Sequence, residues 1–502
     1  MSDGGDASTI DRLRAATAER LGVDRRALAA FRFALGTLLL VDLGLRARNL
    51  TAFYTDAGVL PRSALAEAYP LAARVSLHAV SGEEWALALL FVLAGVAAAA
   101  LAVGYRTRIA AAASLALLIS LQARNPFVLN GGDLLLSHLL GIGVLCPLGA
   151  RWSVDAVRAR AVGGRAGGAG ADVAARDRFF GPASALLLAV PIVVYVSNAV
   201  VKLRGGAWTS GEAVGRVFRL TYLHGPLGGL VPEVPRLFAA ATYGWLALLV
   251  AAPLLVLAAG RLRAALAVIF AAGHLAMPLV LQIGVFPLVS VAGLLPFVPL
   301  TVWDRAERRV APVAARFGQT LGSPRTTREP SGWIPDCVVA AGRRLAPSVA
   351  AVLIAGLLCW NAMAVGVVST PEPVAAVSDP TESGWDMFAP DPPTTDTRVL
   401  ATAAAANGDR IDALYGDPVA ADRPPSDARA YPTARWRKFL TSLAESPEPT
   451  RTGHLLGHLC DRASGQTDAE IDRVSVSIAS IAVAGDDQPQ LRSLGERRCG
   501  DR

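Results

Sequence analysis

Lysine is nearly absent from this chain: of 48 basic residues, only Lys202 and Lys438 are lysines. Lys438 lies beside Arg435 and Arg437 in a polar stretch, where surface exposure accounts for it. Lys202 closes an apolar run in VVYVSNAVVKLRGGAWTSGE, a few residues before Trp208. Arginine stays protonated in proteins, whereas a desolvated lysine sheds its proton and becomes a general base or nucleophile. The same position also suits an anchor, its stem along apolar surface and its ammonium in water beside Arg204 and Trp208. Histidine is scarce too: His78, His138, His224, His274, His454 and His458. His274, in AAGHLAMPLVLQIGVFP, falls inside an apolar run. A titratable ring is costly there and marks either a functional site or an interhelical hydrogen bond. His138 reads as a packing residue. His454 and His458 stand four apart on an expected helix, a spacing open to a metal, but no third ligand accompanies them and helix surface explains them as well.

Other chemistries find no support. The chain carries no glycine-rich nucleotide loop, no nucleophile elbow and no HExxH, the patterns that ATP-driven, serine-hydrolase and zinc-protease mechanisms require. Its five cysteines include no CxxC pair, which argues against a structural zinc or thioredoxin-like site. Cys460 and Cys499 share the C-terminal tail, where they are either a disulfide in an oxidising compartment or two buried thiols. No basic run interleaved with aromatics suggests nucleic-acid binding.

The elements that hold these residues are membrane helices. Hydrophobic residues make up 53% of the 502, charged residues only 18%, and mean hydropathy is +0.42. Such an excess of apolar residues points to a bilayer. Crossing it takes about 20 apolar residues as a helix. The runs are 28–45, 85–105, 109–123, 134–150, 179–201, 237–260, 264–303 and 345–371. Arg32 and Asp42 lie in the first, each near an end, and read as residues that reach for the interface, with a functional pair as the other option. The run 264–303 is long enough for two spans with a reversal near Gln282-Ile283-Gly284, making nine in all. The positive-inside rule favours that count. It assigns 23 arginines to the segments 1–27, 106–108, 151–178, 261–263 and 304–344, and 9 to the loops between them on the other side. The expected topology has the N-terminus in the cytoplasm and the C-terminus outside. Residues 1–26 are polar and no A-x-A site follows the first run, so a cleavable signal peptide is not expected.

The expected organisation is a cytoplasmic segment 1–27, an eight-span domain 28–303, a basic cytoplasmic loop 304–344, a last span 345–371 and an extracytoplasmic domain 372–502. The fold class is thus an all-α polytopic bundle with a small α+β domain. Loop 151–178 is Gly/Ala-rich and flexible in character; loop 203–236 is long enough to fold back to the bilayer edge. The tail carries 21 acidic and 14 basic residues from Glu372 onward. Asn407-Gly408 marks a hairpin between 398–405 and 411–415. Residues 433–445 and 451–463 read as helices, and 473–483 alternates like a strand.

FYTDAGVLPR after the first span, ARNPFVLNGGDLLL before the fourth, and GWDMFAPDPP at the head of the tail resemble the horizontally transferred transmembrane (HTTM) family, which is related to the vitamin K-dependent gamma-carboxylase. RWSVDAV at 151–157, VVKLRGGAW at 200–208 and HLAMPLVLQIGVFP at 274–287 are similar to segments of the carboxylase itself. The resemblance covers most of 26–303 and the start of the tail. It implies that Lys202 is a base acting on a membrane-soluble hydroquinone, reduced vitamin K or menaquinol. Oxygen addition would then yield an epoxide and drive carboxylation of a glutamate in a peptide substrate. It places His274 and Asn130 at the pocket, with Trp208 and Gln282 as binding residues. The chain departs from the carboxylase in two ways: Asn130 is followed by Gly131-Gly132-Asp133 in place of histidine, and the tail is far shorter. The other reading is a non-catalytic membrane protein that binds lipid, quinone or a partner through its tail.

Overall fold

A computed structural model describes residues 12, 15–162, 178–318, 336–375, 379–383, 385–420, 423–483 and 488–500. The fold is mostly helical, with a small sheet region near the C-terminus. The helices used below are α1 (Arg25–Ala47), α2 (Glu84–Val103), α3 (Thr107–Arg124), α4 (Gly131–Val144), α5 (Pro182–Lys202), α6 (Pro235–Val250), α7 (Gly260–Val280), α8 (Phe286–Leu294), α9 (Leu300–Gly318) and α10 (Asp336–Ala364). Among the described residues, α1, α2, α5 and α7 are long and apolar enough to cross a membrane. The bent pair 286–297 and 300–309 makes a fifth if it counts as one span.

Local chemistry sets the helix ends. Asp24 caps α1 by accepting from Arg26 N, and Pro182 opens α5, where its missing N–H costs nothing. Asn130 and Asp133 form a reciprocal capping box at the start of α4. The charge-free run 264–303 reverses at residues 281–285, where Gly284 adopts φ +70°. That left-handed conformation is one most residues avoid. The second half of the run does not form a full-length helix. Residues 286–297 rise about 18 Å, and the chain then turns by 102° into α9. The run at 237–260 is also interrupted: α6 ends at Val250 and a separate turn of helix covers Leu254–Leu257. The last apolar helix, α10, ends at Ala364, short of the expected 371. Residues 163–177 of the Gly/Ala-rich loop and 319–335 of the basic loop lie outside the described residues.

The helices alternate between two ends of one bundle. Arg46 of α1, Glu84 of α2, Arg124 of α3, Asn130 of α4 and Lys202 of α5 all sit at the end where the tail docks. At the opposite end, Arg26 pairs with Asp304 and Glu307, and a two-residue strand β1 (Val23–Asp24) pairs with β2 (Arg178–Phe179). Leu28, Phe31 and Leu35 of α1, Leu136 and Leu139 of α4, Leu187 of α5, Phe270 of α7 and Val289 of α8 share one buried core.

Arg32 and Asp42 do not reach for an interface. Arg32 is buried and donates to the carbonyls of Leu148, Arg151 and Trp152 at 2.7–3.3 Å. Asp42 is buried in an ion-pair cluster. Each meets main-chain or side-chain partners inside the protein, a lower-cost solution than lipid exposure.

The tail folds as an antiparallel sheet of order β4-β3-β5-β6, made of β3 (Thr395–Ala405), β4 (Arg410–Asp412), β5 (Ile471–Ala482) and β6 (Gln490–Arg498). Helices α11 (Ala434–Glu445) and α12 (Pro449–Ser464) are packed with it around Trp436, Phe439, Leu459 and Val474. Asn407-Gly408 occupies the β3–β4 turn, with Gly408 at φ +92°. Cys460 of α12 and Cys499 after β6 form a disulfide.

Candidate functional site

Lys202 is the last residue of α5 and is 2% exposed. Its Nζ donates to Met387 O at 2.5 Å and sits 3.9 Å from the centroid of the Trp208 ring. Trp208 follows on a short helix, Gly206–Thr209, so the chain turns back and lays the indole against the ammonium. A cation over an aromatic face is attracted by the ring quadrupole, more strongly when water is excluded. Trp208 Nε1 in turn donates to Phe388 O at 2.7 Å. One turn before Lys202, Asn198 Nδ2 donates to Trp385 O at 2.8 Å. Among the described residues, no carboxylate lies within ion-pair distance of Lys202. The snorkelling alternative therefore does not hold: the amine is covered by the segment Trp385–Asp391.

That segment belongs to GWDMFAPDPP. It packs closely enough on the α5 terminus that a Cβ at Gly205 would lie 1.8 Å from Pro390 O. Asp391 accepts from Ala207 N at 2.7 Å and Gly206 N at 3.3 Å. Asn198 and Asp391 were not singled out from sequence. Both are short polar residues in ordinary contexts, and only the tertiary meeting of α5 with a segment some 185 residues later gives them a role.

His274 is 1% exposed, inside α7. Its Nδ1 donates to Phe270 O at 2.8 Å, which leaves Nε2 of the neutral ring as an acceptor. Among the described residues, no partner reaches that atom. The ring is packed by Tyr195, Trp245 and Phe286, with centroids 5.6, 5.2 and 6.2 Å away. Asn130 is a helix cap: its Oδ1 accepts from Gly132 N at 2.9 Å and its N–H donates to Asp133 Oδ2 at 2.9 Å. The next residue, Gly131, faces both Trp385 and Phe286. Lys202 and His274 share no hydrogen bond. They belong to one continuous packed region through Trp385, Gly131 and Phe286. Gln282 donates its backbone N–H to Leu223 O at 2.6 Å, tying the 281–285 reversal to loop 203–236.

A second buried polar group joins the tail to the bundle. Arg46 Nε donates to Asp42 at 2.7 Å, Nη1 donates to Tyr54 Oη at 2.9 Å, and Nη2 pairs with Asp133. Arg435 of α11 enters the same cluster, 2.7 Å from Asp42 and 3.1 Å from Asp133, and also donates to Val128 O. Two arginines and two aspartates thus balance each other out of water. Nearby, His458 donates from Nδ1 to Ala57 O at 2.9 Å and stacks on Trp436. His454 and His458 find no third ligand among the described residues. His138 donates to Leu134 O within its own helix and lies at the edge of Trp385.

Comparison with protein-family models, curated proteins and solved structures finds no match to this chain.

Proposed function

We propose that this chain is a multi-pass membrane protein of the HTTM, carboxylase-like kind, in which Lys202 is the base of a quinol-dependent oxygenase or carboxylase. The observation that carries the reading is the burial of Lys202 against a carbonyl and an indole, with no carboxylate within ion-pair distance among the described residues. Among the basic residues of this chain only lysine can act as a neutral amine and accept a proton. The surroundings suit an apolar ring that bears oxygens. Asn198, Lys202 and Trp208 are donors, and Trp208, Trp385 and Phe388 are aromatic. Bound there, reduced vitamin K or menaquinol would supply the reductant for oxygen activation. Lys202 would accept a proton at Nζ, Trp208 and Asn198 would orient the ligand's oxygens, and the aromatic packing would exclude water.

The topology belongs to the same proposal. Alternation of helix ends supports nine crossings in total, with the short helices α4, α6 and α8 packed among longer ones. The arginine excess lies at the end opposite the tail, which supports a cytoplasmic N-terminus and an extracytoplasmic tail at the cell membrane. The Cys460–Cys499 disulfide supports the same placement.

One observation favours a second reading, a non-catalytic protein that binds lipid, quinone or a partner through its tail. The site's three donors are all occupied by the protein's own carbonyls. Oxygen consumption with reduced vitamin K or menaquinol, compared between the unaltered protein and Lys202→Arg, separates the two. Loss of lysine-dependent turnover favours the enzyme, and no turnover with either protein favours the binding role.

A further inference from the structure

Lys202 is buried by a segment that comes from far along the chain. Three main-chain carbonyls of that segment, those of Trp385, Met387 and Phe388, accept from Asn198, Lys202 and Trp208. All three donors sit on α5 or on the turn of helix that follows it, and all three converge on one face. The far end of the segment is fastened by Asp391 on the N–H groups of Gly206 and Ala207. Asp391 is exposed, so these bonds compete with water at every moment. Between the two fastenings Phe388 is held at φ +57°, a conformation that side chains other than glycine rarely adopt. Strained residues of this kind persist only where the surroundings hold them and collect at switches and ligand clamps.

We propose that Trp385–Asp391 is a displaceable lid whose carbonyls stand in for the oxygens of an apolar ligand, and that its departure frees Asn198, Lys202 and Trp208 together. Asp391 is the latch, and Gly205 is the seat that lets Pro390 approach. The lid does not depend on the reaction; only the class of ligand rests on the quinol reading above.

Because the chain has two lysines, amine chemistry reads the lid directly. The purified full-length protein in detergent is reductively methylated with formaldehyde and dimethylamine-borane, and modification at each lysine is followed by peptide mass spectrometry. Lys438 is exposed and serves as the internal standard. In the unaltered protein, Lys202 should react at least about tenfold more slowly than Lys438. Asp391→Ala removes the latch and Gly205→Ala pushes a methyl group into Pro390 O. Each should raise the Lys202 rate about tenfold or more while the Lys438 rate and the elution volume stay unchanged. Asp391→Asn replaces Asp391→Ala should the latter elute as aggregate, and should give a smaller rise in the same direction. A Lys202 as reactive as Lys438 in the unaltered protein, or a Lys202 still protected in both variants, would overturn the lid. No quinol is present in this experiment, so its failure is separate from failure of the oxygenase reading.

Discussion

Replacing Arg435 by methionine should undock the tail from the bundle. Arg435 is 7% exposed, and the three residues it meets in the cluster are more deeply buried: Asp42 and Asp133 at 1%, Arg46 at 0%. The substitution keeps most of the side-chain volume but leaves two buried aspartates facing one arginine. Breaking a buried ion pair from one side costs about 3–5 kcal/mol, because the remaining charge is left uncompensated. If docking is the local step that opens, 3 kcal/mol raises the undocked population about a hundredfold. Proteolysis under native conditions tracks such a population when closing is faster than cleavage, so cleavage of the tail should accelerate by about that factor. Asp42→Asn in the same background supplies the discriminating test. The double variant retains Arg46 with Asp133, a balanced pair, so its loss should be smaller than the sum of the two single losses by about 1–3 kcal/mol. Cleavage rates within twofold of the unaltered protein for Arg435→Met, or strict additivity in the double variant, would refute this account of the interface.

Other expectations follow from the same structure. The Cys460–Cys499 bridge closes a loop of 39 residues, and chain-entropy arguments put its contribution at about 4 kcal/mol. Reduction, or Cys499→Ser, should lower the midpoint of tail unfolding, and peptides containing the two cysteines should run as one species only before reduction. His78 lies in the loop between α1 and α2, and burial, with help from Arg46 and Arg124, pushes it down to about 4. The unfolded chain therefore takes up this proton first, and the stabilisation is complete above about pH 6.5 and declines as pH falls toward 4. Linkage gives a loss of about 2 kcal/mol between pH 7 and pH 5. Thermal melts of the unaltered protein should show that loss, and His78→Gln should flatten the acid limb.

How much of this was legible in sequence depended on whether the signal was local. The apolar runs, the reversal at Gln282–Gly284, the turn at Asn407-Gly408 and both tail helices are carried by periodicity and turn chemistry, and the structure places elements there. Strand β6, QLRSLGERR, lacks the alternation of a half-buried strand because it is an exposed edge, paired on one side only. Arg435 looked like its neighbour Lys438, yet on α11 Arg435 is buried in the Asp42–Asp133 cluster while Lys438 is exposed. Asp42 looked like an interfacial charge because, apart from Arg46 four residues on, its partner is Arg435, 393 residues away. Lys202 was conspicuous by rarity alone. Its burial, and the segment that produces it, depend on a contact across 185 residues that no local pattern announces.

Oxygen uptake by the purified protein, with reduced vitamin K or menaquinol, tests the role of Lys202 most directly. Turnover that is abolished in Lys202→Arg, with expression and elution volume retained, is the predicted result, because arginine keeps the charge but cannot give up the proton. Turnover that survives the substitution would contradict the assignment of Lys202 as the base, and absence of turnover with either quinol in well-folded protein would contradict the oxygenase reading itself.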